Sequence, residues 1–352
     1  MPAPHSLALL KSQFAGGRDY LAACTLGLPM IGTRAAVIAD LDAAASGHPN
    51  APEYTAIAER TRAHFARLVG VNVDRVAIGS QTSVFAGLIA QNLPDGAEVL
   101  CAAGDFSSLL LPFEHAGRGI HLRCVPLESL ADEISDTTSL VAFSLVQSAT
   151  GEVADSLAIV DAAARHGVRT LCDATQAVGW MPVDASLFDA LICHAYKWLC
   201  APRGVAFCTL SSSFAASMRP VFAGWYSGED PWASCYGHDA ALASCARRFD
   251  VSPAWQAFVG AESAVAAFAD AETDAVYSHV VALATAFREP MGLSLPERPS
   301  AIVTWADPAG ENLARLSAAG ITASGRAGRA RVAFHVFNDM ADVERAVTAL
   351  RL

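Results

Sequence analysis

Lysine is almost absent from this chain. Of its 24 basic residues two are lysines, Lys11 and Lys197, and the other 22 are arginines. Arginine stays protonated at any ordinary pH, whereas a lysine amine can lose its proton and attack a carbonyl. Lys197 follows directly on an apolar stretch and is therefore a candidate for imine formation, a retained surface lysine being the plainer alternative. Basic charge is scarce as a whole: 24 Lys and Arg stand against 35 Asp and Glu, for a net charge of −11, a balance opposed to the phosphate attraction on which nucleic-acid binding depends. No apolar run approaches the ~20 residues of a membrane-spanning helix, and residues 280–287 are among the longest. The start, Met1-Pro-Ala-Pro-His-Ser, has no basic segment followed by an apolar one, so a cytoplasmic protein is expected. The nine cysteines include no CxxC pair, and the expectation is buried free thiols in a reducing compartment. Cys235-Tyr-Gly-His238 has two possible zinc ligands and no second pair, so no metal is expected. A G-x-G-x-x-G at the start of a βα unit is also missing, which argues against a dinucleotide binder.

What is present is enough apolar residue, 53% against 17% charged, to build a large core. The length of 352 residues suits one large or two ordinary domains. Strand-length apolar stretches at 75–78, 98–101, 121–125, 140–145, 169–172, 190–193 and 205–209 alternate with segments of helical period such as 82–92 and 156–166. That alternation predicts an α/β architecture with a mostly parallel sheet. After about Ser252 the pattern changes to long helical segments at 253–269 and 274–287. A strand at 301–305, a helix at 311–318, a strand at 331–336 and a helix at 340–350 follow, the composition of a smaller α+β unit.

Asp173 stands where the apolar stretch 168–172 ends, 24 residues before Lys197. Ligands of α/β sheets bind outside the carboxyl ends of the strands, so the two residues are placed to converge. An aspartate there can hold a pyridinium nitrogen protonated, and a strand-end lysine can bind the aldehyde of pyridoxal phosphate; the alternative for Asp173 is a helix N-cap. A third element, Ile78-Gly-Ser-Gln-Thr-Ser-Val-Phe, reads as a strand end, a small polar turn and a helix start. Free amides and the helix dipole there suit a phosphate, or simply cap a helix.

In order and spacing these elements resemble the class V aminotransferase family of fold-type I pyridoxal-phosphate enzymes, the group of cysteine desulfurases, kynureninases and isopenicillin epimerase-like proteins. Cys172-Asp-Ala-Thr-Gln-Ala-Val-Gly followed by His194-Ala-Tyr-Lys-Trp-Leu-Cys-Ala-Pro-Arg-Gly is similar to its cofactor signature. The likeness runs from Tyr20-Leu-Ala-Ala-Cys-Thr-Leu-Gly-Leu-Pro to Arg331-Val-Ala-Phe-His-Val-Phe-Asn-Asp. It implies a large cofactor domain over residues 20–267, with a small domain from 1–19 and 268–352.

By that resemblance Lys197 is the Schiff-base lysine and the base that moves the substrate α-proton. Asp173 pairs with the ring nitrogen, Gln176 donates to the ring hydroxyl and Phe106 stacks on the ring. Gln81, Thr82, His194 and Tyr196 bind phosphate, and Ser252 reaches the phosphate of a partner subunit, which implies a homodimer with shared active sites. Arg331 takes the substrate carboxylate in a bidentate pair. The substrate is a small amino acid or amino-acid-like molecule, and the expected chemistry is transamination or carbon–sulfur lysis. The alternatives are a kynureninase-like hydrolase and a non-catalytic binder of phosphate or cofactor.

The departures narrow the choice. No cysteine lies between Ala301 and Arg331, where desulfurases of the family carry their sulfur acceptor, which argues against that activity. Ser148 replaces the asparagine common near the ring hydroxyl and puts that contact in doubt. Trp225 and Tyr226 are expected on a loop facing the active site or a subunit contact. Cys24 lies on an N-terminal loop and is not read as a nucleophile, and His335 is read as a core or sheet-surface histidine.

Overall fold

The alternation of buried apolar strands and helices produces two sheets in the computed structural model, which describes residues 6–351. The larger has seven strands: β1 (Val76–Gly79), β2 (Glu98–Ala102), β3 (His121–Val125), β4 (Thr138–Ser144), β5 (Arg169–Asp173), β6 (Ala190–His194) and β7 (Ala206–Leu210). Their spatial order is β1-β7-β6-β5-β4-β2-β3. Strands β3 to β6 run parallel with β2, and β7 runs antiparallel to both of its neighbours. The smaller sheet is antiparallel, with β8 (Ile302–Ala306), β9 (Ser324–Arg326) and β10 (Arg329–Ala333) in the order β8-β10-β9.

The helices are α1 (Leu7–Ser12), α2 (Ile31–Ala45), α3 (Ala51–Leu68), α4 (Thr82–Ala90), α5 (Ser107–Glu114), α6 (Ser156–His166), α7 (Ser212–Ser217), α8 (Trp255–Ala269), α9 (Thr273–Arg288), α10 (Glu311–Ala318) and α11 (Met340–Arg351). Local chemistry sets several of their ends. Asp155 accepts from the Ala158 amide at the start of α6, and Gly167, at φ 66°, ends that helix in the left-handed conformation glycine adopts without strain. Asn50 caps α3 in the same way through the Glu53 amide.

Because the central strands are buried on both faces, each face of the large sheet carries its own core. Phe65 of α3 stacks on Phe207 of β7 at 4.1 Å in one, and Phe85 of α4 and Phe113 of α5 lie in the other. A third core joins the small sheet to α9 and α11 through Phe287, Trp305, Val332 and Val343. The segment after α1 crosses between these units: Tyr20 and Ala22 bridge to Thr322 and Ala333, while Gly27 donates its amide to Tyr196 O at 2.8 Å.

Most expected elements are found within a residue or two of their places. The strand expected at 331–336 instead spans Arg329–Ala333, because the chain turns where the His335 amide donates to Asn338 Oδ1. Helices α1, α2, α3, α5 and α7 and strand β9 are not singled out from the sequence. All nine cysteines are free, but not all are buried: Cys124 is exposed and Cys235 and Cys245 are partly so, because β3 lies at the sheet edge and the other two lie in surface segments.

Candidate active site

Strand register brings the candidate residues to one edge of the sheet. Ser144, Asp173 and Ile192 are consecutive partners across β4, β5 and β6, and His194, Ala206 and Gly79 are partners across β6, β7 and β1. The C-terminal ends of these parallel strands therefore deliver Asp173, His194 and the turn before α4 to a single crevice. Lys197 follows three residues after β6, on a turn that Cys200 closes by donating its amide to Lys197 O at 3.2 Å. Cys200 takes φ 55°, a conformation costly for a residue with a side chain, and such strain concentrates at functional sites.

Phe106, Asp173, Gln176 and Lys197 line one cleft together with Ser144, Ser148 and Thr175. The Lys197 ammonium lies 5.3 Å from the Phe106 ring centre and 5.5 Å from that of Tyr196. It has no carboxylate within ion-pair distance among the described residues. Burial lowers its pKa to about 8 against the opposing influence of Asp173, so the neutral amine is far more populated near neutrality than on an ordinary lysine. The buried Asp173 carboxyl is itself pushed up by burial, and its Oδ1 accepts from the Thr175 amide at 2.9 Å. A cation brought against it would favour the charged form.

Gln176 is held rigidly. Its Oε1 accepts from Trp198 Nε1 at 2.8 Å and its backbone oxygen from Trp180 Nε1 at 2.6 Å, and its Nε2 donates to Cys24 O and Ser148 Oγ, both at 3.0 Å. Ser148, the departure from the expected asparagine, thereby accepts from Gln176 and also, at 3.0 Å, from Arg331 Nη1. Arg331 further donates to Ser148 O, to Thr25 Oγ1 at 2.8 Å and to Ser324 Oγ at 3.1 Å. It is 1% exposed and meets only neutral acceptors. A buried cation without a counter-ion is costly, and burial accordingly lowers the Arg331 pKa.

His194 has its ring edge-on to Tyr196 at 4.3 Å, and its buried Nε2 has no hydrogen-bond partner. Burial, with Arg203 and Lys197 adding to it, lowers its pKa to about 3, so the ring is neutral. Gln81 is the exposed N-cap of α4 and makes no side-chain cap, so its side chain satisfies none of the first amides of that helix. Thr82 is buried in the first turn. Ser252 is exposed and is not among the residues lining the Lys197 cleft. Tyr226 is fully buried, edge-on to the partly buried Trp225, rather than on an open loop, and His335 is a core residue bonded to Trp198 O.

With this geometry in place, the chain can be compared with known proteins. The model of the family "Aminotransferase class-V" matches residues 38–299. This chain belongs to the class-V aminotransferase family. Its relatives include an uncharacterised aminotransferase of Bacillus subtilis, 26% identical over 82% of each chain. A kynureninase of Deinococcus radiodurans is 27% identical over 72% of this chain and 64% of its own. Among solved structures, the cystine C–S lyase C-DES with its product cysteine persulfide superposes with a TM-score of 0.84 at 18% identity, covering 95% of this chain and 97% of that one. The cysteine desulfurase CsdA of Escherichia coli gives 0.82 at 19%, covering 98% and 97%. The fold is that of fold-type I enzymes, and the protein is a pyridoxal-phosphate enzyme of this family.

The residues present fit that cofactor. A partly neutral amine, a buried carboxylate without a cation and an exposed aromatic beside the amine share one cleft, and at the end of the neighbouring strand an imidazole nitrogen is left without a partner. Sequence reasoning missed Thr175, whose Oγ1 accepts from the His194 amide at 2.9 Å, and Arg203, whose guanidinium lies 4.5 Å from the Tyr196 ring centre. Both stand inside the quoted motifs. Thr25 stands inside the quoted N-terminal segment as well, whereas Ser324 carried no such signal.

Proposed function

We propose that this enzyme acts on a small amino acid or amino-acid-like carboxylate through Lys197, by transamination or carbon–sulfur lysis, as a homodimer with shared active sites. The observation that carries this reading is a pair of buried cations without a carboxylate partner: Lys197 with its lowered pKa, in a cleft that Ser148 also lines, and Arg331, whose Nη1 donates to that Ser148. Arg331 presents a planar fork that suits a carboxylate in two parallel hydrogen bonds, with Thr25, Ser148 and Ser324 giving up donors to it. Lys197 has the basicity to take a proton from the α-carbon and return it at neutral pH. When bound, pyridoxal phosphate supplies the electron sink for the carbanion left by that proton. Asp173 and Gln176 would hold its ring, Phe106 would cover it, and Gln81, Thr82, His194 and Tyr196 would hold its phosphate, with Ser252 reaching it from a partner. In this reading residues 20–267 form the large domain and 1–19 with 268–352 the small one. The 18% likeness to C-DES over nearly the full chain supports the lyase arm, and the Bacillus subtilis relative supports the transaminase arm.

The test is borohydride reduction of the purified protein loaded with pyridoxal phosphate, followed by peptide mapping and then a screen of amino acids for keto-acid or sulfide release. The expected result is a visible band whose reduction places the adduct on Lys197. Uptake of pyridoxal by the cofactor-free protein should rise with pH through an inflection near pH 8, because only the neutral amine attacks. Asp173→Asn should shift that inflection downward, since the Asp173 charge favours the ammonium. An adduct elsewhere, or an inflection near an ordinary lysine's, overturns the reading.

A further inference from the structure

Cys101 and Cys124 are direct Cα partners in the register of the parallel strands β2 and β3. Neighbouring strands lie about 4.8 Å apart, inside the Cα separation of about 4.4–6.8 Å that a disulfide spans. Both side chains point to the same face, and their sulfurs are 2.9 Å apart. The two differ in access: Cys101 is fully buried, while Cys124 sits exposed on the sheet edge, since β3 is the terminal strand. No other pair of cysteine sulfurs is in contact among the described residues. Burial first, and then the hydrogen bond with Cys124, raise the Cys101 thiol well above the ordinary range, so Cys101 does not open the reaction.

We propose that Cys101 and Cys124 form a thiol–disulfide modification site, with Cys124 as the entry thiol and Cys101 as the resolving thiol, whose oxidant is a low-molecular-weight disulfide. The Cys124 thiolate attacks one sulfur of that disulfide, forming a mixed disulfide and releasing one small thiolate. The Cys101 sulfur, losing its proton to solvent, then attacks Cys124 Sγ, forming the Cys101–Cys124 bond and breaking the mixed one. The two protein thiols are oxidised by two electrons, and the small disulfide is reduced to two thiols that take up the two protons. The bridge covalently ties the edge strand to β2, three residues before Gly104 and five before Phe106.

The site is tested on the cofactor-loaded protein with oxidised glutathione as the probe, alkylation of remaining thiols, intact mass and peptide mapping. The expected result is a cross-linked pair of peptides containing Cys101 and Cys124 and a loss of about 2 Da, the two thiol hydrogens, reversed by dithiothreitol. Cys124→Ser, at an exposed position that leaves the fold intact, should abolish the cross-link, and Cys101→Ser should trap the glutathionyl adduct on Cys124. A wild-type protein that keeps glutathione on Cys124 without closing the bridge overturns the proposal. So does one that couples another pair or leaves both thiols unreacted.

Discussion

Arg62 and Arg331 are about equally buried, yet their surroundings are opposite. Arg62 donates to both oxygens of the fully buried Asp250, at 3.1 and 2.6 Å, and to Glu59, whereas Arg331 meets serine and threonine oxygens and one carbonyl. The first is a closed structural pair that anchors α3 to β1, since Asp250 also accepts from the Ile78 amide and Arg62 donates to Val76 O. The second is a cation held ready for an external anion. This difference predicts contrasting variants. Arg62→Met leaves Asp250 buried and unpaired and should cost about 3–5 kcal/mol in a urea melt. Arg331→Met removes an uncompensated charge and should cost clearly less, while raising KM for carboxylate substrates at least about tenfold, the worth of one charge-assisted hydrogen bond. Equal losses of stability would refute the assignment of Arg331 to substrate. Sequence distinguished these arginines only through the motif around Arg331; Asp250 lies 188 residues from Arg62, and a pairing of that range leaves no local trace.

At the scale of elements, the catalytic turn depends on a contact between distant segments. Gly27 donates to Tyr196 O, and a Cβ at Gly27 would run into Lys197 O and come within 2.8 Å of Cys200 Cα. These are backbone atoms on a turn already strained at Cys200, so they have little room to yield. Gly27→Ala should therefore destabilise the protein by about 1–3 kcal/mol and slow pyridoxal capture by Lys197 in the same variant. Unchanged capture would mean that the N-terminal segment does not position the turn. The strands and the helices that follow them were legible because two-sided burial writes apolar runs into the sequence, as in β4 and β6. Strand direction was not: β7 is as apolar as its parallel neighbours, and only its register shows that it runs the other way. The lock around Gln176 was hidden for a related reason, because two of its four hydrogen bonds use backbone oxygens, which carry no residue identity.

Assembly is the property of the whole molecule on which the proposed site depends. Leu26, Ile31, Ile38 and Leu41 leave large apolar side chains exposed along the N-terminal segment and α2, close in sequence to the Gly27 contact. Ser252 is exposed and lies outside the cleft of its own chain. On the proposed reading these exposed residues belong to a two-fold dimer in which each subunit completes the phosphate site of the other. The consequence is subunit complementation. Lys197→Ala removes the covalent anchor from its own site, and Ser252→Glu sets a negative charge against the phosphate in its partner's. Neither homodimer should retain cofactor after borohydride and gel filtration. When the two variants are dissociated and mixed in equal amounts, random pairing makes half of the dimers mixed, and each mixed dimer has one intact site of two. Covalently retained cofactor should then recover to about a quarter of the wild-type amount. A monomer in sedimentation, or a mixture that stays as empty as its parents, would place the phosphate site entirely within one chain, and a Ser252→Glu protein that keeps its cofactor would remove Ser252 from it.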